Sequence, residues 1–197
     1  MNKGIITGEE LIKLHKEGKS IINPFVPEKV LTDINGNPIL SYGLEPAGYT
    51  VRLATVFKRL TVSKTPLVPF FNDEEKEYEI ITTDAPLLLE PNEVVLGITL
   101  EYLKMPRDVL GIGHTKSSYA RGGIFINVTP IDPGWEGNLT LAISNLSGRK
   151  TFIFPRQGII QIIFFRLGQE TKGYYGYFQK TKGKPVATRK GGKNVKR

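Results

Sequence analysis

Strand-forming runs at short spacing, broken repeatedly by proline and glycine, constrain this chain more than any other feature. Tyr49–Phe57, Leu87–Leu89, Val94–Tyr102, Val109–Ile112, Leu139–Ser144, Thr151–Phe154 and Gln161–Arg166 are rich in branched and aromatic residues and bounded by turn formers. The chain carries 21 Gly and 13 Pro. No helical crossovers separate the runs, which disfavours a parallel α/β sheet. The pattern predicts an all-β domain, a barrel or jelly-roll-like sandwich. There is no internal repeat and no Rossmann glycine pattern.

One short helix is expected near the start. Thr7-Gly8-Glu9-Glu10 reads as a capping box, Thr7 accepting from first-turn amides and Glu10 reaching back to the cap. The helix should run to about Glu17, with Gly18 at C′. Leu11, Ile12, Leu14 and His15 form a stripe that packs on a sheet, which gives His15 a structural rather than a catalytic role. Asp33–Pro38 and Asn72–Glu77 read as exposed turns or loops.

At 197 residues the chain fits one domain with a tail. It has no cysteine, which excludes disulfides and the Cys-ligated zinc of the zinc nucleobase deaminases. Residues 1–8 have no signal-peptide pattern, and no run approaches the ~18 apolar residues of a membrane span. A soluble cytoplasmic protein without membrane association is expected. Seven of the lysines and arginines behind the formal charge of +8 lie in residues 182–197, which contain no acid. We therefore divide the chain into a domain over 1–181 and a basic tail over 182–197. Such a tail can contact nucleic acid, fold over a polyphosphate, or remain a solvated terminus.

Two stretches carry candidate chemistry. Lys116-Ser117-Ser118-Tyr119-Ala120-Arg121 has the form of a short helical turn. Serine hydroxyls, a lysine point charge and an arginine fork suit phosphate oxygens, though the same residues make a capped turn with a solvated arginine. Ile131-Asp132-Pro133-Gly134 is first of all a turn, because Pro presets φ and Gly accepts a positive φ. Beyond it Leu139, Leu141 and Ile143 alternate with Thr140, Ala142 and Ser144. The small, weakly polar face lines a pocket or faces solvent, and periodicity does not separate the two.

Lys116-Ser-Ser-x-Ala-Arg121, Ile131-Asp-Pro-Gly-Trp-x-Gly137 and Ala47-Gly-Tyr-Thr-Val-Arg-Leu53 together resemble the dCTP deaminase and dUTPase superfamily. Gly18–Pro24, Glu90–Glu101 and Gln157–Gln161 extend the likeness over most of the chain, toward the deaminase branch. The resemblance implies a dUTPase-like, distorted jelly-roll β-barrel (a β-clip fold) that forms homotrimers with sites between subunits. It also implies that Mg²⁺ rides on the substrate triphosphate and no metal is held directly by the protein.

By the same resemblance, Lys116, Ser117, Ser118, Arg121 and Gln161 contact phosphates. Asn127, Ile131, Asp132, Thr140 and Ala142 line the sugar and base pocket, and Asp132 is the catalytic base. Tyr177, Lys180, Lys182 and Arg189 belong to a closing tail.

Several positions depart from the family pattern. Ala142 stands where the deaminases carry the glutamate that shuttles protons at the cytosine ring, and the link from Ser117 to Asp132 is shorter than is usual in them. Thr50 replaces an aspartate, with Glu45 and Glu136 nearby in sequence, and Lys116 replaces an arginine. Ala142 and the short link favour hydrolysis of dUTP to dUMP and pyrophosphate, whereas Thr50, which brings no negative charge to order metal-bound water, counts against either enzymatic reading, and Lys116 keeps the charge but loses the bidentate fork. The alternatives are a dCTP deaminase or bifunctional enzyme, and a non-catalytic nucleotide-binding regulatory trimer. Nucleic acid is a lesser candidate as partner.

Overall fold

The computed structural model describes residues 4–61 and 78–187. In chain order the elements are β1 (Gly4–Ile5), α1 (Gly8–Lys16), β2 (Ile22–Asn23), β3 (Lys29–Thr32), β4 (Pro38–Leu44), β5 (Tyr49–Arg52), β6 (Val56–Leu60) and β7 (Tyr78–Thr82). There follow β8 (Leu87–Leu89), β9 (Val94–Lys104), β10 (Val109–Thr115), α2 (Ser117–Arg121), β11 (Ile124–Asn127), β12 (Glu136–Asn145), β13 (Thr151–Ile153) and β14 (Gly158–Arg166). All the described strand pairs are antiparallel. The all-β class is as expected.

The described ladders form two six-stranded sheets and a two-stranded ribbon rather than one closed barrel. The first sheet runs β1-β14-β5-β4-β3 with β10 also on β14, and the second runs β11-β12-β9-β6-β7 with β2 also on β9. One hydrophobic core joins them, with Tyr49, Val51, Ile160, Ile162 and Phe164 from the first sheet meeting Phe57, Val95, Leu103, Leu141 and Ile143 from the second. Between the sheets, Arg52 of β5 places its backbone N–H and its Nε on the fully buried Glu101 of β9, each at 2.7 Å. Burial raises the Glu101 carboxyl above the ordinary glutamate range, and the Arg52 guanidinium opposes the shift.

The strand expected over Tyr49–Phe57 is two strands. At Leu53 and Ala54 the chain leaves the first sheet for the second, Leu53 N–H donating to Gln157 O at 2.9 Å and Ala54 N–H to Ile98 O at 2.8 Å. Leu53 and Phe57 are both buried in the shared core, so hydrophobicity does not fall at the crossing and the break is invisible in the sequence.

Thr7 caps α1 as expected, accepting from Glu10 N–H at 3.3 Å, and Gly18 closes it at φ +72°. The return bond of a capping box is absent, because the Glu10 carboxylate is drawn to Arg166, whose Nη2 lies 2.6 Å away. His15 stacks on Phe25 with ring centroids 4.7 Å apart, a packing role. Asp33 closes the expected turn by accepting from the Asn35 and Asn37 amides, both at 2.9 Å. Asn72–Glu77 lies outside the described residues.

The end of β12 is fastened by Asn145, whose side chain is fully buried. Its amide donates to the Leu89, Glu90 and Arg149 carbonyls at 3.1, 3.0 and 2.6 Å, and its oxygen accepts from Ser147. Replacing Asn145 by Leu leaves those groups unpaired, so the folded state should lose about 3 kcal/mol. Urea denaturation would show this as a lower midpoint at unchanged m-value.

Candidate active site

β12 alternates strictly. Leu139, Leu141 and Ile143 point into the core, while Thr140, Ala142 and Ser144 are half-buried on the other face. Thr140 and Ala142 on that face form part of a pocket wall. Ala142 sits opposite Asn127 of β11 on one side and Leu96 of β9 on the other, and all three line a cavity of about 300 Å³. That volume lies at the lower end of the ~300–1,000 Å³ usual for ligand pockets.

The turn after β11 supplies the rim. Ile131 exchanges backbone hydrogen bonds with Gly111 of β10 at 2.8 and 3.0 Å and is buried, which fixes the neighbouring Asp132 at the pocket mouth with its side chain exposed. Trp135 N–H donates back to Asp132 O at 3.1 Å, and Gly134 takes φ +78° as the Asp-Pro-Gly turn requires. A Cβ at Gly134 would meet Gly173 Cα at 2.8 Å, so this glycine also admits the returning chain.

That returning chain, residues 173–187, is the remaining wall. Trp135 Nε1 donates to Phe178 O at 3.0 Å, and the Gln179 side chain bonds both Gly134 O at 2.9 Å and Glu136 N–H at 3.1 Å. Lys180 N–H donates to Glu136 O and Asn138 N–H to Thr181 O, both at 2.8 Å. Val186 N–H ends the series on Thr140 Oγ1 at 3.1 Å. The segment is a strap tied to the start of β12.

Of the residues expected in the sugar and base pocket, Asn127, Ile131, Asp132, Thr140 and Ala142 all line this one cavity. Of the expected lid residues, Tyr177, Lys180 and Lys182 do not. Tyr177 stands edge-on to Phe178, Lys180 is drawn to Glu136 at 3.6 Å, and the Lys182 ammonium sits 5.2 Å from the centre of the Tyr102 ring. Arg189 lies outside the described residues. The strap's cavity-lining members are Tyr174, Phe178, Thr181, Val186 and Ala187. Sequence reasoning missed them, although the aromatic cluster Tyr174, Tyr175, Tyr177 and Phe178 was the available sign of a docked segment.

Lys116, Ser117, Ser118, Arg121 and Gln161 do not line the cavity. Ser117, Ser118 and Arg121 are exposed on α2. Lys116 donates to Ser41 Oγ at 2.9 Å, and Gln161 Nε2 to Ala47 O at 3.4 Å. Burial lowers the Lys116 ammonium below the usual lysine range, Glu45 opposes this, and Lys29 adds to it. Nearby, Thr50 Oγ1 donates to Glu45 Oε1 at 2.9 Å. Glu45, not Glu136, therefore puts negative charge beside Thr50.

The family model described as dCTP deaminase-like matches residues 5–167. A dCTP deaminase of Albidiferax ferrireducens is 37% identical over 170 residues, covering 86% of this chain and 89% of that protein. One from Acinetobacter baumannii is 38% identical over 160 residues, covering 81% and 84%. The chain belongs to the dCTP deaminase-like family. The solved 2′-deoxycytidine 5′-triphosphate deaminase of Agrobacterium tumefaciens shares its fold at TM-score 0.60 and 21% identity. That match covers 85% of this chain and 49% of the other, so the chain spans about half the length of that relative. Within the family's fold, the cavity of this member has Asp132 as the one acidic residue among its described lining residues.

The strap is testable without substrate. Gln179→Ala removes the side chain that holds both Gly134 O and Glu136 N–H, so trypsin should cut after Lys180 and Lys182 several times faster. Cleavage elsewhere in the chain should be unchanged, as read by intact-mass time courses.

Proposed function

We propose that this chain is an enzyme of deoxypyrimidine triphosphate metabolism, with the base and sugar in the cavity at β12 and the triphosphate toward Asp132. The dCTP deaminase-like family match and the names of the curated relatives support the substrate class. The cavity wall is of a size and character for a pyrimidine ring: Ala142 and Leu96 give it an apolar floor, and Asn127 and Thr140 give it polar edges.

The reaction we favour is hydrolysis of dUTP to dUMP and pyrophosphate. The observation that carries it is the cavity's acid content. Hydrolysis needs one carboxylate near the α-phosphate to take a proton from the attacking water, and Asp132 at the mouth supplies it. Water's oxygen then bonds to the α-phosphorus, the bond to the bridging oxygen breaks, and pyrophosphate leaves. Deamination needs a proton carrier beside C4, and the alanine methyl at position 142 carries none.

A second reading, deamination of dCTP, is favoured by a specific observation of another kind. The curated relatives named above, 37% and 38% identical, are called dCTP deaminases. The comparisons thus support this alternative better than the hydrolytic reading.

Phosphate contacts fall to Lys116, Ser117, Ser118, Arg121 and Gln161 in this proposal. Because they do not line the cavity of their own chain, the reading assigns them to a site completed by a second copy, in a homotrimer. The described residues hold no cluster of three His, Asp or Glu side chains suited to a metal ion, and both Glu45 oxygens are engaged. Any Mg²⁺ is therefore assigned to the substrate's own phosphates, where it neutralises charge.

Purified chain incubated with dUTP and with dCTP, following pyrophosphate and ammonia together, separates the readings. We expect pyrophosphate from dUTP, reduced by about 10³-fold or more in Asp132→Asn. Ammonia from dCTP in the unmodified chain would establish deamination instead. Nucleotide binding with neither product would leave a regulatory binding protein, and Ala142→Glu together with Thr50→Asp should then create turnover.

A further inference from the structure

The cavity and strap use the polar groups of the second sheet and leave one polar assembly on the first sheet without a role. Pairing places Lys29 opposite Gly43, Gly43 opposite Thr50, Thr50 opposite Gln161 and Gln161 opposite His114, so one row crosses β3, β4, β5, β14 and β10. Residues directly paired across a sheet share a face. Lys116 lies two residues beyond His114, just past the end of β10, and its ammonium reaches Ser41 of β4. Gly43 presents no side chain between Lys29 and Thr50, and Glu45 from the β4–β5 hairpin spans the gap. Its Oε2 accepts from Lys29 Nζ at 2.8 Å and its Oε1 from Thr50 Oγ1 at 2.9 Å.

The charges in this assembly do not balance. Glu45, 7% exposed, has both oxygens engaged and neutralises one ammonium, while Lys29 and Lys116 bring two. The Lys29 side chain keeps 45% of its surface exposed, and among the described residues Glu45 uses one of its three N–H donors. A half-exposed ammonium whose stem is fixed by a buried carboxylate has donors left for an anion. Burial lowers the Lys116 ammonium below the usual lysine range, and the Lys29 charge pushes it in the same direction.

We infer that Lys29 is a further phosphate-binding residue, held in place by Glu45 on the same sheet face as Lys116 and Gln161. The ligand class is a linear polyphosphate, the triphosphate of a nucleotide or its pyrophosphate product. Glu45 acts through Lys29 and Thr50 and is a positioning residue. This inference rests on the assignment of Lys116, Arg121 and Gln161 to phosphate, and deepens it by adding a cation from β3.

The test is calorimetric titration of the full chain with inorganic tripolyphosphate at several salt concentrations. Lys29→Met should weaken binding about tenfold, the worth of one charge-assisted contact, and flatten the salt dependence. Lys29→Arg should keep most of the affinity. The double variant Lys29→Met/Glu45→Gln, which leaves no unpaired buried carboxylate, should show the same loss at an undiminished thermal midpoint. Lys116→Met serves as the reference. If it weakens binding and both Lys29→Met and the double variant bind as the parent does, the role of Lys29 is refuted while the phosphate face stands. If none of them weakens binding, the phosphate reading of this face fails with it.

Discussion

The period of two along β12 is the constraint on which the rest depends. With Leu139, Leu141 and Ile143 committed to a core shared by both sheets, Thr140 and Ala142 have only the opposite face to occupy. A slip of one residue would bury the threonine and expose the leucines, so the core sets the composition of the cavity wall. Two devices hold the register. Asn145 brackets one end by bonding three backbone carbonyls. Near the other end the ladder with β9 shifts between Asn138 and Thr140, where the Asn138 amide donates to the Thr99 and Leu100 carbonyls and Leu139 N–H donates to Thr99 Oγ1. The irregularity is thus satisfied by side chains and does not leave buried backbone groups orphaned.

The strap makes the cavity out of what would otherwise be a concave strip of sheet. Its bonds run mainly to backbone groups between Gly134 and Asn138, segments whose pairing the strands do not complete. Trp135 ties it further, since the indole ring is buried and its N–H still needs an acceptor, which Phe178 O provides. The family resemblance implies a closing tail that includes Tyr177, Lys180, Lys182 and Arg189. The three that are described lie on the strap outside the cavity lining, Lys180 against Glu136, Lys182 over the Tyr102 ring and Tyr177 edge-on to Phe178.

Carboxylate placement separates this chain from the pattern it resembles. Position 142 has no acid, and the described cavity lining offers none nearby apart from Asp132. Position 50 has none either, yet Glu45 reaches its hydroxyl from five residues away. The two losses look alike in the sequence and differ in space. A hairpin returns Glu45 to Thr50, whereas β12 neighbours Ala142 with Asn127 and Leu96. Glu101 shows the other use of a buried acid, as a link between sheets through Arg52.

The sequence by itself determined the all-β class, the capped helix with its terminal glycine, the Asp-Pro-Gly turn and the two faces of β12. These follow from local rules, the alternation of a pleated strand and the φ preferences of Pro and Gly, which need no knowledge of distant residues. Asn127, Ile131, Asp132, Thr140 and Ala142, five of the residues that share the cavity, were legible through the family resemblance. Only the tertiary structure decided that Thr140 and Ala142 on the small face of β12 form part of a pocket wall, since burial depends on a strap some forty residues later in the chain. It also decided the crossing at Leu53, the pairing of Glu45 with Thr50, and the row that sets Lys29 level with Gln161. Each of these is a contact between segments whose approach is set by the common core, and a side chain's own chemistry does not say which neighbour the core will bring to it.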